Sequence, residues 1–287
     1  MKKIITIIAI VSLTVFAFIG CSTANQSSSV EPVIVLAAFG SSYETGEKNL
    51  SDNDKAMSER FPDTEIYWAF TAQGIIDGLK EAGKTTYFDR EVPIKNLEEI
   101  YAQLIEEGKT NVMVQSLHSM VGAEFREVVG TSTKGLNIKY SYPLTFYPEN
   151  IQNAVNALAG EFGDPSDTAT ILCAHGNEAH PENNSQLIEM DNYLRANFEN
   201  AYLACVEGPP GFEGVAEDIA ASGVTKIKFV PFMLTYGDHI TNDVMGDEPD
   251  SWKTQLGLDA SCADGMGANA DIMEIYLKSI KHVLSQF

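Results

Sequence analysis

From residue 33 onward the chain alternates between short continuous apolar runs and longer stretches whose apolar positions recur at helical spacing. Residues 33–39 (VIVLAAF) end on Gly40-Ser41-Ser42, the pattern of a strand buried on both faces that runs into a turn. Residues 65–70 (EIYWAF) and 112–117 (VMVQSL) predict further strands, and 138–142 a shorter fourth. Pro93 opens a predicted helix, because Ile94, Leu97, Ile100, Tyr101, Leu104 and Ile105 keep helical spacing up to a stop at Gly108. The series then begins again. Residues 149–162 predict a helix, 169–174 (ATILCA) a strand, 184–198 a helix and 201–206 (AYLACV) a strand. A helix around 212–221, a strand at 227–232 (IKFVPF) and an amphipathic helix at 270–284 complete it. Strands alternating with helices predict an α/β fold with parallel sheets.

The two halves can be superimposed. VIVLAAFGS (33–41) matches ATILCAHGN (169–177), and EIYWAFTAQ (65–73) matches NAYLACVEG (200–208). TNVMVQSLHSMVGAEF (110–125) matches TKIKFVPFMLTYGDHI (225–240) without a gap, placing Gly122 opposite Gly237. Three pairs in one order predict two similar Rossmann-like lobes, 31–143 and 144–265, with residues 266–287 forming a helix that packs back across them. Parallel sheets bind ligands beyond the carboxyl ends of their strands, so the expected site is the cleft between the lobes.

The first 30 residues read differently. Lys2 and Lys3 precede a 17-residue uncharged stretch, Ile4 to Gly20, and Cys21 follows at once. This reads as a secretory signal over residues 1–21, and Phe18-Ile19-Gly20-Cys21 resembles the lipobox of bacterial lipoproteins. The expected product is exported, lipid-anchored at Cys21 and tethered by the Ser-rich residues 22–30. Acidic residues outnumber basic ones 40 to 19, a net charge of −21 that loss of Lys2 and Lys3 takes to −23. With no Lys/Arg cluster to neutralise phosphates, nucleic-acid binding is excluded. Cys173, Cys205 and Cys262 show no CxxC or finger spacing; Cys173 and Cys205 read as small buried hydrophobes, and no disulfide framework is indicated.

Candidate chemistry collects at the strand ends of the second half. His175, Glu207 and His239 each follow an apolar strand and lie 32 residues apart, with Phe39, Ala72 and Glu124 at the aligned positions of the first half. Two imidazoles and a carboxylate suit a borderline divalent ion. The spacing in AHGNEAH does not match the helical HExxH zinc motif, and no nucleophile elbow, Walker loop or dinucleotide fingerprint occurs. His118 follows a strand and reads equally as cleft-facing or packed. Tyr43, Trp68, Phe70, Met120 and Tyr236 are candidates to wall a flat ligand or to fill the core.

Those segments carry a resemblance. AAFGSSYETGEKN, RFPDTEIYWAFTAQGII, VMVQSLHSMVGAEF, CAHGNEAH, the glutamate of CVEG, and VPFMLTYGDHITNDV with DSWK after it resemble, in order, the anaerobic sirohydrochlorin cobaltochelatases (CbiK) within the class II tetrapyrrole chelatases. The resemblance implies a two-lobed chelatase fold and ATP-independent insertion of Co²⁺, with Fe²⁺ or Ni²⁺ as alternatives, into sirohydrochlorin. It implies His175, Glu207 and His239 as metal ligands and Glu124 as the cleft carboxylate that helps remove pyrrole protons. Expected partners are a tetrapyrrole and the divalent ion, with no cofactor beyond that substrate metal, no nucleic acid, the membrane only through Cys21, and self-association left open. Two features pull the other way: an export signal on a biosynthetic enzyme, and an acidic chain facing an octacarboxylate, for which Arg126 and Lys253 are the candidate local cations. The second reading is therefore an exported metal- or haem/tetrapyrrole-binding lipoprotein of metal uptake that reuses the fold.

A chain beginning at Glu31 is expected to melt at the same temperature as one beginning at Ser22. A fall of more than about 4 °C in a thermal melt, on the order of 1 kcal/mol or more at this size, would show that residues 22–30 pack on the fold. Cys21→Ser is expected to abolish lipid labelling in the producing cell; labelling that persists would sink the lipobox reading.

Overall fold

The computed structural model describes residues 31–287; the predicted signal, Cys21 and the tether lie outside the described residues. The first lobe runs β1 (Val33–Ala38), α1 (Glu44–Arg60), β2 (Ile66–Phe70), α2 (Gln73–Glu81), the short pair β3 (Thr86–Tyr87) and β4 (Val92–Pro93), α3 (Leu97–Glu106), β5 (Asn111–Ser116), α4 (Ala123–Gly130) and β6 (Asn137–Ser141). The second runs α5 (Pro148–Leu158), β7 (Thr168–Gly176), α6 (Ser185–Asn197), β8 (Ala201–Glu207), α7 (Phe212–Ser222), β9 (Lys226–Pro231), a π-helical turn (Ile240–Val244), α8 (Trp252–Leu256) and β10 (Asp259–Cys262). The closing helix is α9 (Ala270–Leu284). Among the described residues no helix is long and apolar enough to cross a membrane.

Each lobe is built on a four-stranded parallel sheet, in the orders β2-β1-β5-β6 and β10-β9-β7-β8. Reading the second sheet from its β8 edge gives the same topology, with β7, β8, β9 and β10 standing where β1, β2, β5 and β6 stand. The three aligned segment pairs are therefore equivalent strands, and β6 with β10 makes a fourth pair. The central strands β1 and β7 explain their sequences: all six residues of β1 are buried, as are the first seven of β7. A strand covered on both faces has no polar side to alternate with. Helix α9 lies on β5, β6 and α5, burying Ile272, Met273, Tyr276, Leu277, Ile280 and Val283.

One local expectation is corrected, and three helices are added. The third helix starts at Leu97, not Pro93, because Asn96 accepts from the Glu99 N–H at 2.9 Å while the Glu99 carboxylate accepts from the Asn96 N–H. Val92 and Pro93 instead pair with Thr86 and Tyr87. Helices α1, α2 and α4 follow three of the strands without having been expected. In α1 the buried face includes Gly46, Asn49, Asn53 and Asp54, so apolar periodicity is nearly absent. That face is a seam between the lobes: Asn49 donates to Asp264 at 2.8 Å and accepts from the Tyr236 N–H at 2.8 Å.

Asp54 also closes a buried network. Its carboxylate accepts from the Trp68 indole N–H at 2.7 Å and from Arg90 Nε at 2.7 Å. Trp68 is fully buried, so removing the acceptor strands a donor in the core. Asp54→Ala is expected to cost about 1–3 kcal/mol, lowering the melting temperature by roughly 3–10 °C. The same change in a Trp68→Phe background should cost distinctly less, and equal costs in the two backgrounds would remove the indole bond from the account.

Candidate functional site

The carboxyl ends of both sheets open onto a single cleft between the lobes, a cavity of about 530 Å³. His175 reaches it from the end of β7. The next residue, Gly176, has φ +77°, and a Cβ there would stand 2.0 Å from the Glu207 carbonyl oxygen. Only glycine lets β7 and β8 run this closely together beside the site. His239 and Glu124 do not sit directly at strand ends as expected. Each lies two residues past an aligned glycine, Gly237 or Gly122, where the chain enters a helical turn. His239 precedes the π-helical turn, and Glu124 is in the first turn of α4. Single π-helical turns are frequent at functional sites.

The two imidazoles meet edge to face, with ring centroids 4.6 Å apart. His175 Nδ1 lies 2.8 Å from the Gly176 carbonyl oxygen, which can only accept, so Nδ1 carries the proton. His239 Nδ1 lies 2.7 Å from the Asp243 carboxylate and donates to it. In the neutral form of each ring the lone pair therefore lies on Nε2, which has no hydrogen-bond partner among the described residues. Fixing one nitrogen by an oxygen is how proteins set a metal-binding tautomer.

Glu124 lines the same cavity, so the structure brings together three of the four residues expected at the site. Glu207 is not in the lining: the register pairs it with Gly176, one position beyond His175. Among the described residues no group of three or more His, Cys, Asp or Glu side chains is already placed to hold a metal ion. The convergent three-ligand set expected from the strand ends is therefore not assembled in this conformation.

His118 also lines the cavity, but both its ring nitrogens are engaged, Nδ1 with the Ser116 hydroxyl at 2.8 Å and Nε2 with the Thr71 hydroxyl at 3.0 Å. It has no lone pair to spare. Of the aromatic and Met candidates, Tyr43 and Met120 wall the cavity, while Trp68 and Phe70 are core. Tyr236 lies outside the lining. Tyr43 spans the lobes: its hydroxyl donates to Asp238 and accepts from Asn242 at 3.0 Å. The bond to Asp238 raises the phenol above its ordinary range. Sequence reasoning missed Asp243, Asp238 and Asn242 as partners, although the i,i+4 spacings of His239 with Asp243 and Asp238 with Asn242 signal them. Cys173, Cys205 and Cys262 are unpaired, and burial pushes the Cys205 and Cys262 thiols up to about 12.

With the geometry in hand, the chain can be compared with known proteins. The family model for cobalt chelatase (CbiK) matches residues 32–285. The sirohydrochlorin cobaltochelatase of Salmonella typhimurium is 26% identical over 266 residues, covering 89% of this chain and 97% of the relative. Sirohydrochlorin cobaltochelatase CbiKC of Nitratidesulfovibrio vulgaris is 27% identical over 237 residues, 78% of each chain. Among solved structures, SirB from Bacillus subtilis with Fe³⁺ superimposes with a TM-score of 0.60 at 12% identity, covering 89% of this chain and 96% of that one. CbiX, described as the terminal enzyme of sirohaem biosynthesis in denitrifying bacteria, gives 0.53 at 14% identity, with 87% and 98% covered. The fold is that of these chelatases.

Burial lowers the pKa of His118 from 6.5 to about 4, with the Glu124 carboxylate opposing the shift. Between those values the unfolded chain binds a proton that the folded one refuses. The stability that depends on a neutral His118 is thus full above about pH 6.5 and lost as pH falls toward 4. Between pH 7 and pH 5 urea melts should show a loss on the order of 1–2 kcal/mol that is smaller in His118→Gln. Identical pH slopes in the two proteins would exclude this residue as the cause.

Proposed function

The chain belongs to the cobalt chelatase (CbiK) family, and from that premise we propose that it inserts Co²⁺ into sirohydrochlorin with release of two protons. The observation that carries the reading is the imidazole pair with both Nε2 lone pairs open, facing a carboxylate of the other lobe across one cavity. Fe²⁺ and Ni²⁺ are alternative ions, since first-row divalent metals share these ligand types.

In this scheme His175 and His239 receive the ion through Nε2. Glu207, at the end of the adjoining strand and partly exposed, turns its side chain to join them when the positive charge arrives. Its carbonyl stays anchored by Asn184 Nδ2 at 3.3 Å, so only the side chain moves. A hold completed by recruitment suits an ion that must leave again. Glu124 accepts the first pyrrole proton from the opposite side. As the ion passes to the ring nitrogens, the imidazoles regain their Nε2 lone pairs and one takes the second proton. Two protons leave the macrocycle and one divalent ion enters, so charge balances without a nucleotide. With residues 1–21 read as a lipoprotein signal, the activity is placed on the exported side of the membrane, anchored at Cys21.

Three substitutions test the roles. His239→Ala is expected to weaken Co²⁺ binding by roughly 10–100-fold in calorimetry, and Glu207→Gln by a smaller factor. Glu124→Gln keeps shape and hydrogen bonding, so it should leave Co²⁺ affinity near wild type while slowing insertion, followed by absorbance, by about 10²–10⁴-fold. If Glu124→Gln loses the metal as badly as His239→Ala, Glu124 is a ligand instead. Undiminished turnover in all three variants would leave the cleft assignment without support.

A further inference from the structure

The cavity assigned to the macrocycle holds no cation to receive its carboxylates. Among the described residues that line it, none is Lys or Arg. The two cations the sequence offered are used elsewhere. Arg126 Nη2 donates to Asn183 Oδ1 at 2.6 Å, and Lys253 pairs with Asp247 at 2.6 Å; neither lines the cavity. The only basic residues outside the described part are Lys2 and Lys3 of the predicted signal. What the lining does carry is Glu124 and Asp238, with Asp243 behind His239.

Its other resource is apolar. Phe39 stands at the position equivalent to His175, directly after a fully buried strand, and is 44% exposed, an unusual state for a phenylalanine. Ile75, Met120 and Leu234 extend that wall. Aromatic and aliphatic side chains can cover the face of a flat ring, but they give nothing to a peripheral carboxylate. Proteins that recognise carboxylates do so with Arg forks or Lys charges, and an unpaired carboxylate brought beside Glu124 and Asp238 is repelled. The net charge of −21 adds repulsion at longer range, which salt screens.

We propose that this cavity selects its macrocycle by the apolar ring face and the pyrrole nitrogens, and discriminates against peripheral carboxylates. The inference rests on the reading of the cleft as a tetrapyrrole site. An octacarboxylate such as sirohydrochlorin binds with its side chains left in solvent at the mouth and gains no ion pairs from them. Macrocycles with fewer carboxylates bind more tightly. Salt strengthens binding of the octacarboxylate instead of weakening it, the reverse of what a basic site would show.

The test uses the intact chain and metal-free uroporphyrin III, coproporphyrin III and mesoporphyrin IX, which carry progressively fewer carboxylates. Fluorescence titrations at low salt are expected to give Kd values that fall by about tenfold or more from the first to the last. Raising NaCl to about 0.5 M should tighten uroporphyrin binding by roughly threefold or more and narrow the gap, since the Debye length shrinks to a few ångströms. Phe39→Ala should weaken all three by a similar factor. Ser42→Arg, at an exposed position of the lining, should favour uroporphyrin and reverse its salt dependence. Tightest binding of uroporphyrin at low salt, weakening of that complex by salt, absence of any binding, or mesoporphyrin binding indifferent to Phe39→Ala would each overturn the proposal. Co²⁺ insertion assayed on the same samples separates the two readings. The expected binding order without insertion supports selection by ring face while sinking the chelatase, and insertion with uroporphyrin preferred does the opposite.

Discussion

Parallel pairing dictates where every strand ends. In each sheet all four strands run the same way, so the loops that leave their carboxyl ends collect on one side. With two lobes facing each other, those loops form both walls of one cleft. This directional constraint explains why the chemistry is confined to a few turns. His175, His239 and Glu124 are far apart in sequence, yet each follows a strand that opens onto the same space. It also explains why duplication need not mean equivalence. The two sheets share their strand order and the aligned glycines at 122 and 237, but not the residues two places later. There one lobe has a carboxylate and the other an imidazole.

In the proposed insertion, the difference between those two residues divides the work. A carboxylate and an imidazole on opposite walls can address the two partners of the exchange, one the departing proton and the other the arriving ion. The imidazoles are made ready by bonds that cost nothing further at the moment of reaction. The Gly176 carbonyl and the Asp243 carboxylate hold the Nδ1 protons, so no tautomer change precedes binding at Nε2. His118 shows what the same side chain does when both nitrogens are taken. Two hydroxyls hold its ring, the Tyr276 hydroxyl of α9 donates to its carbonyl oxygen at 3.0 Å, and burial keeps the imidazole neutral. It braces the wall on which Glu124 and Phe39 also stand.

Most of the fold was legible because its strands are buried on both faces, which leaves unbroken apolar runs that no amphipathic helix imitates. The repeat was legible for the same reason, since equivalent strands need equivalent runs. Helix α1 was not, because its inward face meets the other lobe through Asn49 and buries Asn53 and Asp54 beside it, and a polar face carries no apolar period. Strand β10 escaped notice too: only four residues, DASC, at the edge of the sheet, with none fully buried. At the site, residue types and spacing pointed to His175, His239 and Glu124. Whether Glu207 joins them depends on side-chain rotation at a strand end, a quantity that neither spacing nor register encodes.

Charge is where local and global physics part company. A chain at −21 keeps like-charged molecules at a distance, and a basic pocket is the usual way to overcome this for an anionic ligand. Here the cations lie elsewhere, many of them paired with carboxylates on the outer surface: Lys48 with Asp52, Arg60 with Glu274, and Arg195 with Asp218. A cation inside the cleft would also work against the metal. It would repel the incoming divalent ion and favour the ionised form of carboxylates such as Glu124, making them weaker proton acceptors. An acidic cleft attracts the divalent ion, at the expense of any grip on a carboxylate-rich ring. The two substrates carry opposite charge, so one electrostatic environment cannot favour both. On the proposed reading, the acidic lining of this cavity favours the metal, and the macrocycle is left to bind through its apolar face.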